Sequence, residues 1–116
     1  MAGNKVSGDY GEEIAVKYLI DKGYAIVEKK YRCRAGEIDI IARDGGYYVF
    51  VEVKLRRNLS KGYPREAVGY SKRQKIIKTA LNYFAFKNIR ADMRFDVIEI
   101  ICGGDTIIEH IENAFP

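Results

Sequence analysis

The sequence predicts an α/β domain in which helices pack on a mixed β-sheet, with the element order α-β-β-β-α-β-β. Two segments, residues 9–22 and 71–87, repeat apolar residues at helical spacing, and five others are rich in alternating, β-branched and aromatic residues. Short links join the first three strands, which favours an antiparallel meander. Because a long helical connection precedes the fourth strand, we expect a right-handed crossover that places it parallel to the third.

The two helices are predicted from their apolar stripes and from residues that favour helix ends. The first spans residues 9–22, with Asp9 or Ser7 as its N-cap and Gly23 as its stop. The second spans residues 71–87. The apolar positions that define the stripes are Ile14, Ala15, Tyr18 and Leu19 in the first helix and Ile76, Ile77, Ala80, Leu81 and Phe84 in the second.

The strands are predicted from alternation and from the glycine-containing turns between them. They span residues 24–31, 37–43, 47–55, 93–101 and 106–111. Residues 56–70 contain two glycines and a proline and are predicted to be a loop.

Length and composition indicate one globular domain, spanning residues 1–116. Hydrophobic residues make up 47% and charged residues 31% of the chain, which excludes a disordered polypeptide. The sequence contains no apolar run typical of a signal peptide or a membrane span, so we expect a cytoplasmic protein with no membrane partner. Cys33 and Cys102 lie far apart and are expected to be reduced thiols. His110 is the only histidine, which argues against a Ser-His-Asp triad or a His-based zinc site.

Positive charge is concentrated in the middle of the chain, although the net charge is only +4. Between residues 52 and 78 only Glu52 and Glu66 oppose the bases, and no Lys or Arg follows Phe95. The bases of this stretch are Lys54, Arg56, Arg57, Lys61, Arg65, Lys72, Arg73, Lys75 and Lys78. A solvated face explains such a stretch as well as a nucleic-acid surface does.

Charged residues interrupt the second and third strands, where a core sheet should be apolar. Alternation places Glu37 and Asp39 on one face of the second strand, with Ile38 and Ile40 on the other. In the third strand, the residues on one face are Phe50, Glu52 and Lys54, and those on the other are Val49, Val51 and Val53.

The length of the hairpin loop decides whether the two charged faces coincide. A two-residue loop at Gly45–Gly46 pairs Asp44 with Tyr47 and places Asp39 opposite Glu52, and a four-residue loop gives the same pairing. A two-residue loop that begins one position earlier leaves the acids diagonal on one face. A three-residue loop puts them on opposite faces.

Two opposed acids favour a metal site. Directly opposed side chains have Cβ atoms roughly 4.5–5.5 Å apart, so two half-buried anions repel unless a divalent cation lies between them. Hard oxygen ligands without His or Cys suit Mg²⁺ or Mn²⁺. Lys54 points the same way as Glu52, and carboxylates, a metal and a lysine describe a phosphodiester-cleaving site. A surface hairpin with solvated acids is the alternative explanation.

Several motifs together resemble the YraN-like family of predicted bacterial endonucleases. That family is similar to a small branch of the PD-(D/E)xK nuclease superfamily, akin to archaeal Holliday junction resolvases. The motifs, in order, are GDYGEEIAVKYLIDKGY, GEIDIIARDGGYYVFVEVKLR, AVGYSKRQKIIKTALNYF, RFDVI and IEHIENAF. The resemblance covers nearly the whole chain and implies a restriction-endonuclease-like mixed sheet with flanking helices.

The resemblance also implies roles for individual residues. Asp39 matches the metal-binding aspartate of the superfamily, and Glu52 and Lys54 match the E-x-K half of its motif. Glu12, in the frame Gly-Glu-x-x-Ala, matches a helix-one glutamate that supports the metal site in resolvase-like members. Lys72 matches a basic position that opens the second helix. The chain departs from the motif's name in having isoleucine, not proline, before the aspartate, as many superfamily members do.

The expected function is metal-dependent hydrolysis of DNA, with branched or single-stranded DNA as candidate substrates in repair or recombination. Asp39 and Glu52 are predicted to bind Mg²⁺ or Mn²⁺ with the Val53 carbonyl as a third ligand, and Lys54 to position the attacking water. The residues predicted to hold the DNA backbone are Arg34, Arg56, Arg57, Lys72, Arg73 and Lys75. Kinship with resolvases implies a homodimer. The alternatives are a non-cleaving nucleic-acid-binding module and an interaction protein with solvated acids.

Overall fold

The computed structural model describes residues 2–56 and 69–115, with side chains from Tyr10 onward. The helices and strands follow the predicted order, α-β-β-β-α-β-β. Their bounds are α1 Ala2–Asp21, β1 Ala25–Cys33, β2 Gly36–Asp44, β3 Tyr47–Arg56, α2 Tyr70–Lys87, β4 Asp92–Ile101 and β5 Ile107–Ile111. Most of the predicted loop, residues 57–68, lies outside the described residues.

The five strands form one mixed sheet in the order β1-β2-β3-β4-β5. β1, β2 and β3 form the predicted antiparallel meander, β4 runs parallel to β3, and β5 is antiparallel to β4. The parallel pair follows the long connection that contains α2, as expected for a crossover between parallel strands. In the described ranges no helix is both long and apolar enough to cross a membrane.

The first helix begins earlier than the sequence indicated. α1 starts at Ala2, so the predicted start at Asp9 is wrong, and both Ser7 and Asp9 lie within the helix instead of at its start. Inside a helix, Ser and Asp cost only about 0.5 kcal/mol relative to alanine, so a preferred capping residue does not by itself end one. The predicted stop is correct: Gly23 has φ +100°, and the amide of Tyr24 donates to the carbonyl of Leu19 at 2.9 Å.

Each face of the sheet has its own core. α1 covers one face, here called the α1 side, whose core residues include Leu19, Val49, Val51 and Ile98. α2 covers the other, the α2 side, whose core residues include Phe50, Ile76, Phe84 and Phe95. The alternation of Val49, Phe50 and Val51 between the two cores therefore confirms the predicted faces of the third strand, and it places Glu52 on the α2 side.

Strict alternation fails at the start of β2. Ile40 packs in the core of the α1 side but Ile38 packs in the core of the α2 side, so the prediction that they share a face is wrong. The ladder between β1 and β2 pairs Tyr31 with Ile38 and then skips Lys30, which has a left-handed φ of 54°. A left-handed residue interrupts regular strand pairing. The position across from Lys30 is Asp39, and it is here that β2 departs from strict alternation.

Candidate active site

The β2–β3 hairpin brings the two predicted acids together. Asp44 pairs with Tyr47, so the loop is the two-residue Gly45–Gly46 alternative, and Gly45 adopts the left-handed φ of 60° that such a turn needs. The paired register ends at Ile40 and Val51, and the next position on each strand is Asp39 and Glu52, whose charges interact. The acids therefore lie at the end of the hairpin that is remote from its loop.

Asp39 lies where the regular ladder gives way to a side-chain contact. Its Oδ2 accepts a hydrogen bond from the backbone amide of Val53 at 2.8 Å. This bond fixes the carboxylate against β3, next to Glu52 and next to the residue predicted to be a third metal ligand through its carbonyl.

The environment of Asp39 disfavours its charge. Burial raises the pKa of its carboxyl most, and the negative charge of Glu52 raises it further, to about 7 from 3.8, although the Val53 amide opposes the shift. Glu12 raises the same pKa, while Lys72 lowers it. Glu12, although it belongs to the helix on the opposite face, therefore lies within electrostatic range of the predicted site. Near neutral pH this carboxyl group is ready to gain or lose a proton, depending on the cations nearby.

Glu52 is buried and has a lysine as its partner. Its side chain is only 7% exposed, and Oε2 lies 2.7 Å from Nζ of Lys72, on the first turn of α2. Burial lowers the pKa of Lys72, but its hydrogen bond to Glu52 and the charges of Glu52, Asp39 and Glu37 raise it more. Lys72, predicted from the sequence to contact DNA, is thus part of the acidic site.

A second buried acid lies beside Lys54. Glu99 of β4 is the parallel-strand neighbour of Lys54, is fully buried, and forms an ion pair with Arg56. Its Oε2 contacts Nε of Arg56, and within the described residues its Oε1 has no hydrogen-bond partner. Burial raises the pKa of Glu99, while the charges of Arg56 and Lys54 lower it. Glu99 was not among the residues predicted from the sequence, although a glutamate inside the apolar run VIEII was a usable signal.

The comparisons with known proteins identify the family. The model of the uncharacterised protein family UPF0102 matches residues 11–100. A UPF0102 protein of Clostridioides difficile is 50% identical over 113 residues, which are 97% of this chain and 98% of the relative. A UPF0102 protein of Alkaliphilus metalliredigens is 48% identical over 97% of this chain and 99% of its own length. The chain belongs to the UPF0102 family. This confirms the resemblance to the YraN-like proteins, and the names of these relatives state no activity.

The other basic residues predicted to bind DNA are dispersed over the UPF0102 chain. Arg34 is exposed in the turn between β1 and β2, and the guanidinium carbon of Arg73 lies 5.9 Å from the ring centroid of Phe115. Arg56 has the buried Glu99 as its partner, and Arg57 lies outside the described residues.

A cavity of about 410 Å³ beside the acids is lined by Gly36, Glu37, Ser71, Lys72, Lys75 and Ile76.

A polar network on the α1 side is separate from the acidic site. Asp96 is fully buried and accepts two hydrogen bonds from Arg94, each 3.0 Å long, and one from the Asn113 amide at 3.0 Å. Nε2 of His110 lies 2.7 Å from the same carboxylate. Because Lys22 can only donate and lies 3.0 Å from Nδ1 of His110, the proton on Nε2 is the one that faces Asp96. In this network His110 ties β5 to the buried carboxylate of β4, which is a structural role.

The carboxylate donors of the acidic site suit a hard divalent cation, although they are few. Among the described residues no group of three or more His, Cys, Asp or Glu side chains lies close enough to hold a metal ion. Asp39 and Glu52 supply two carboxylates, and an ammonium already sits against one of them. Mg²⁺ keeps several waters and is commonly held by one or two carboxylates plus substrate phosphates, so two protein carboxylates are a sufficient basis for it.

Proposed function

We propose that this UPF0102 chain is a metal-dependent nuclease that hydrolyses phosphodiester bonds in DNA. The observation that carries the proposal is the juxtaposition of Asp39 and Glu52 at the end of the β2–β3 hairpin, away from full solvent exposure. Two acids held together in this way destabilise a fold, so they are typical of a site that binds a cation.

Burial distinguishes this proposal from the alternative of solvated surface acids. An acid that simply faces water has no reason to lose its exposure, yet Glu52 retains only 7%. Glu37, one position before Ile38 on the same strand, shows the contrast: its side chain is 58% exposed and pairs with Arg32 at the surface. Buried Glu52 beside half-buried Asp39 therefore favours a functional site over an interaction protein with incidental acids.

Asp39 and Glu52, with the Val53 carbonyl, are the residues proposed to hold Mg²⁺ or Mn²⁺. When bound, such a cation supplies Lewis-acid polarisation of a phosphoryl oxygen. The remaining work belongs to the chain's own side chains. Lys54, on the same strand face as Glu52, orients the attacking water and stabilises the negative charge that grows on the phosphate. Glu12, within electrostatic range of Asp39, adds a further negative charge that opposes ionisation of Asp39 and thereby favours a bound cation.

Exposed bases are proposed to hold the DNA backbone without reading its sequence. Lys75 lines the cavity next to Lys72, and Arg34 is exposed in the turn that leads into β2. Contacts of this kind position the phosphate chain but carry no base information, so structure-dependent cleavage is the expected form of selectivity.

The test is a cleavage assay on purified protein with branched, single-stranded and duplex DNA, each with Mg²⁺ or Mn²⁺. We expect cleavage by the wild type and by Asp92→Asn, which removes an exposed charge from the start of β4, beside Tyr47 at the loop end of the hairpin and away from the acids. Glu52→Gln should lose about 100-fold or more, as is common when an electrostatic catalytic group is removed. Equal cleavage by wild type and Glu52→Gln would contradict the assignment of the site.

A non-cleaving nucleic-acid-binding module is the second candidate, and one contact favours it. The Lys72 ammonium already neutralises Glu52, so the site can face a phosphate without a metal. This candidate predicts DNA binding that is independent of divalent cations and no thermal stabilisation by Mn²⁺. The nuclease predicts such stabilisation, with a short DNA present if its phosphate oxygens are needed to complete the site.

A further inference from the structure

We propose that Lys72 couples metal binding to DNA binding. Without a divalent cation its ammonium neutralises Glu52, and when a cation binds, the ammonium leaves the carboxylate and contacts a phosphate of the DNA. The inference rests on the proposed function, because it requires that Asp39 and Glu52 bind a cation.

The contact between Lys72 and Glu52 joins a fixed group to a movable one. Glu52 is 7% exposed and is held in a central strand, whereas the side chain of Lys72 is 48% exposed at the start of α2. A lysine ammonium is a compact charge on a flexible stem of four carbons. If the pair separates, Lys72 is therefore the partner that moves.

The two cations compete for the same oxygen. Nζ of Lys72 lies 2.7 Å from Oε2 of Glu52, the distance of a direct hydrogen bond. The charge of Asp39 also attracts this ammonium, as the raised pKa of Lys72 indicates. A divalent cation bound between Asp39 and Glu52 would neutralise the carboxylates that attract the Lys72 ammonium. The cation would also repel this ammonium, because both are positive, so Lys72 would leave its position beside Glu52.

The cavity beside the acids offers the released ammonium a new partner. Lys72 and Lys75 both line this space of about 410 Å³, and Lys75 is exposed. A phosphate entering the cavity would meet both ammonium groups and would also face Glu37, and the two positive charges outnumber this negative one. Metal binding then frees one additional charge for DNA, and DNA binding, by reciprocity, strengthens metal binding.

The first test measures metal affinity in the absence of DNA. Mn²⁺ is titrated calorimetrically into the wild type, Lys72→Met and Lys75→Met. Methionine keeps the length of the side chain and removes the charge. Because an ion pair with an exposed member contributes little, Lys72→Met should bind Mn²⁺ only about two- to fivefold more tightly than the wild type, and Lys75→Met should change the affinity less. An unchanged or weaker affinity in Lys72→Met would overturn the inference.

The second test measures DNA affinity with and without Ca²⁺, which allows binding to be measured without turnover. In the wild type Ca²⁺ should tighten binding, and Lys72→Met should show a gain about two- to fivefold smaller. A third measurement uses only the wild type, so it does not depend on whether the variant folds. On addition of Mg²⁺ the side-chain NMR resonances of Lys72 should shift, and those of Lys75 should shift less. Equal gains in wild type and Lys72→Met would refute the coupling. If the wild type binds no metal even with DNA present, the proposed nuclease and this inference both fall.

Discussion

Replacing Asp39 with asparagine is expected to stabilise the metal-free fold at neutral and alkaline pH. Asparagine has nearly the same shape, and its carbonyl oxygen can accept the 2.8 Å hydrogen bond from the Val53 amide. The change therefore removes the charge that opposes Glu52 and leaves the local packing in place. Most substitutions at a partly buried position destabilise a protein, so a gain in stability is an unusual and informative outcome.

The size of the effect follows from the pKa of Asp39. Burial and the Glu52 charge raise this pKa from 3.8 to about 7. Each pKa unit is worth about 1.36 kcal/mol, so ionising the native carboxyl costs at most roughly 4 kcal/mol. Between about pH 4 and pH 7 the native state holds more protons than the unfolded state, so the free energy of unfolding of the wild type falls as pH rises through this window. The asparagine variant does not show this decrease.

The assay is urea unfolding at pH 4 and pH 8 in EDTA, with Glu37→Gln as the exposed control. The stability difference between Asp39→Asn and wild type should become more favourable to the variant by roughly 2–4 kcal/mol from the lower to the higher pH. The control should stay within about 0.5 kcal/mol of wild type at both values. Saturating Mn²⁺ should stabilise the wild type, by about 2.7 kcal/mol at one hundred times the Kd, but not the variant. If the difference is the same at pH 4 and pH 8, the two acids do not repel each other, and a cation site between them is refuted.

Two further predictions follow from other parts of the molecule. Asp96→Ala should destabilise the fold by about 3–5 kcal/mol in urea unfolding at pH 7, because Arg94, whose side chain is 11% exposed, loses the carboxylate to which it donates two hydrogen bonds. The control is Asp92→Asn at the exposed start of β4. A loss below about 1 kcal/mol would show that the network is dispensable. DNA affinity should fall steeply with salt. Replacing Arg34, Lys72 and Lys75 together should reduce the slope of the log binding constant against log salt concentration by about 0.9 for each phosphate that is no longer neutralised. An unchanged slope in a binding assay would show that the DNA binds elsewhere.

Much of the fold follows from local patterns in the chain. Period-two alternation and glycine turns predicted five strands in the correct order, and the long connection before β4 predicted the parallel pair. The juxtaposition of Asp39 and Glu52 was predictable for the same reason. An even-numbered hairpin loop places both acids on one face, and the structure has the two-residue Gly45–Gly46 loop.

Contacts between elements distant in the chain required the tertiary structure. Lys72 meets Glu52 only because α2 packs on that face of the sheet, and Glu99 lies beside Lys54 only through the parallel register of β3 and β4. The turn that separates Ile38 from Ile40 lies across from the left-handed backbone of Lys30 in a neighbouring strand. The sequence by itself determined the elements and, for a two- or four-residue hairpin loop, the two facing acids, because those depend on neighbours along the chain. Only the tertiary structure decided which cation neutralises Glu52 and which acid is buried beside Lys54, because packing between layers sets those distances and that burial.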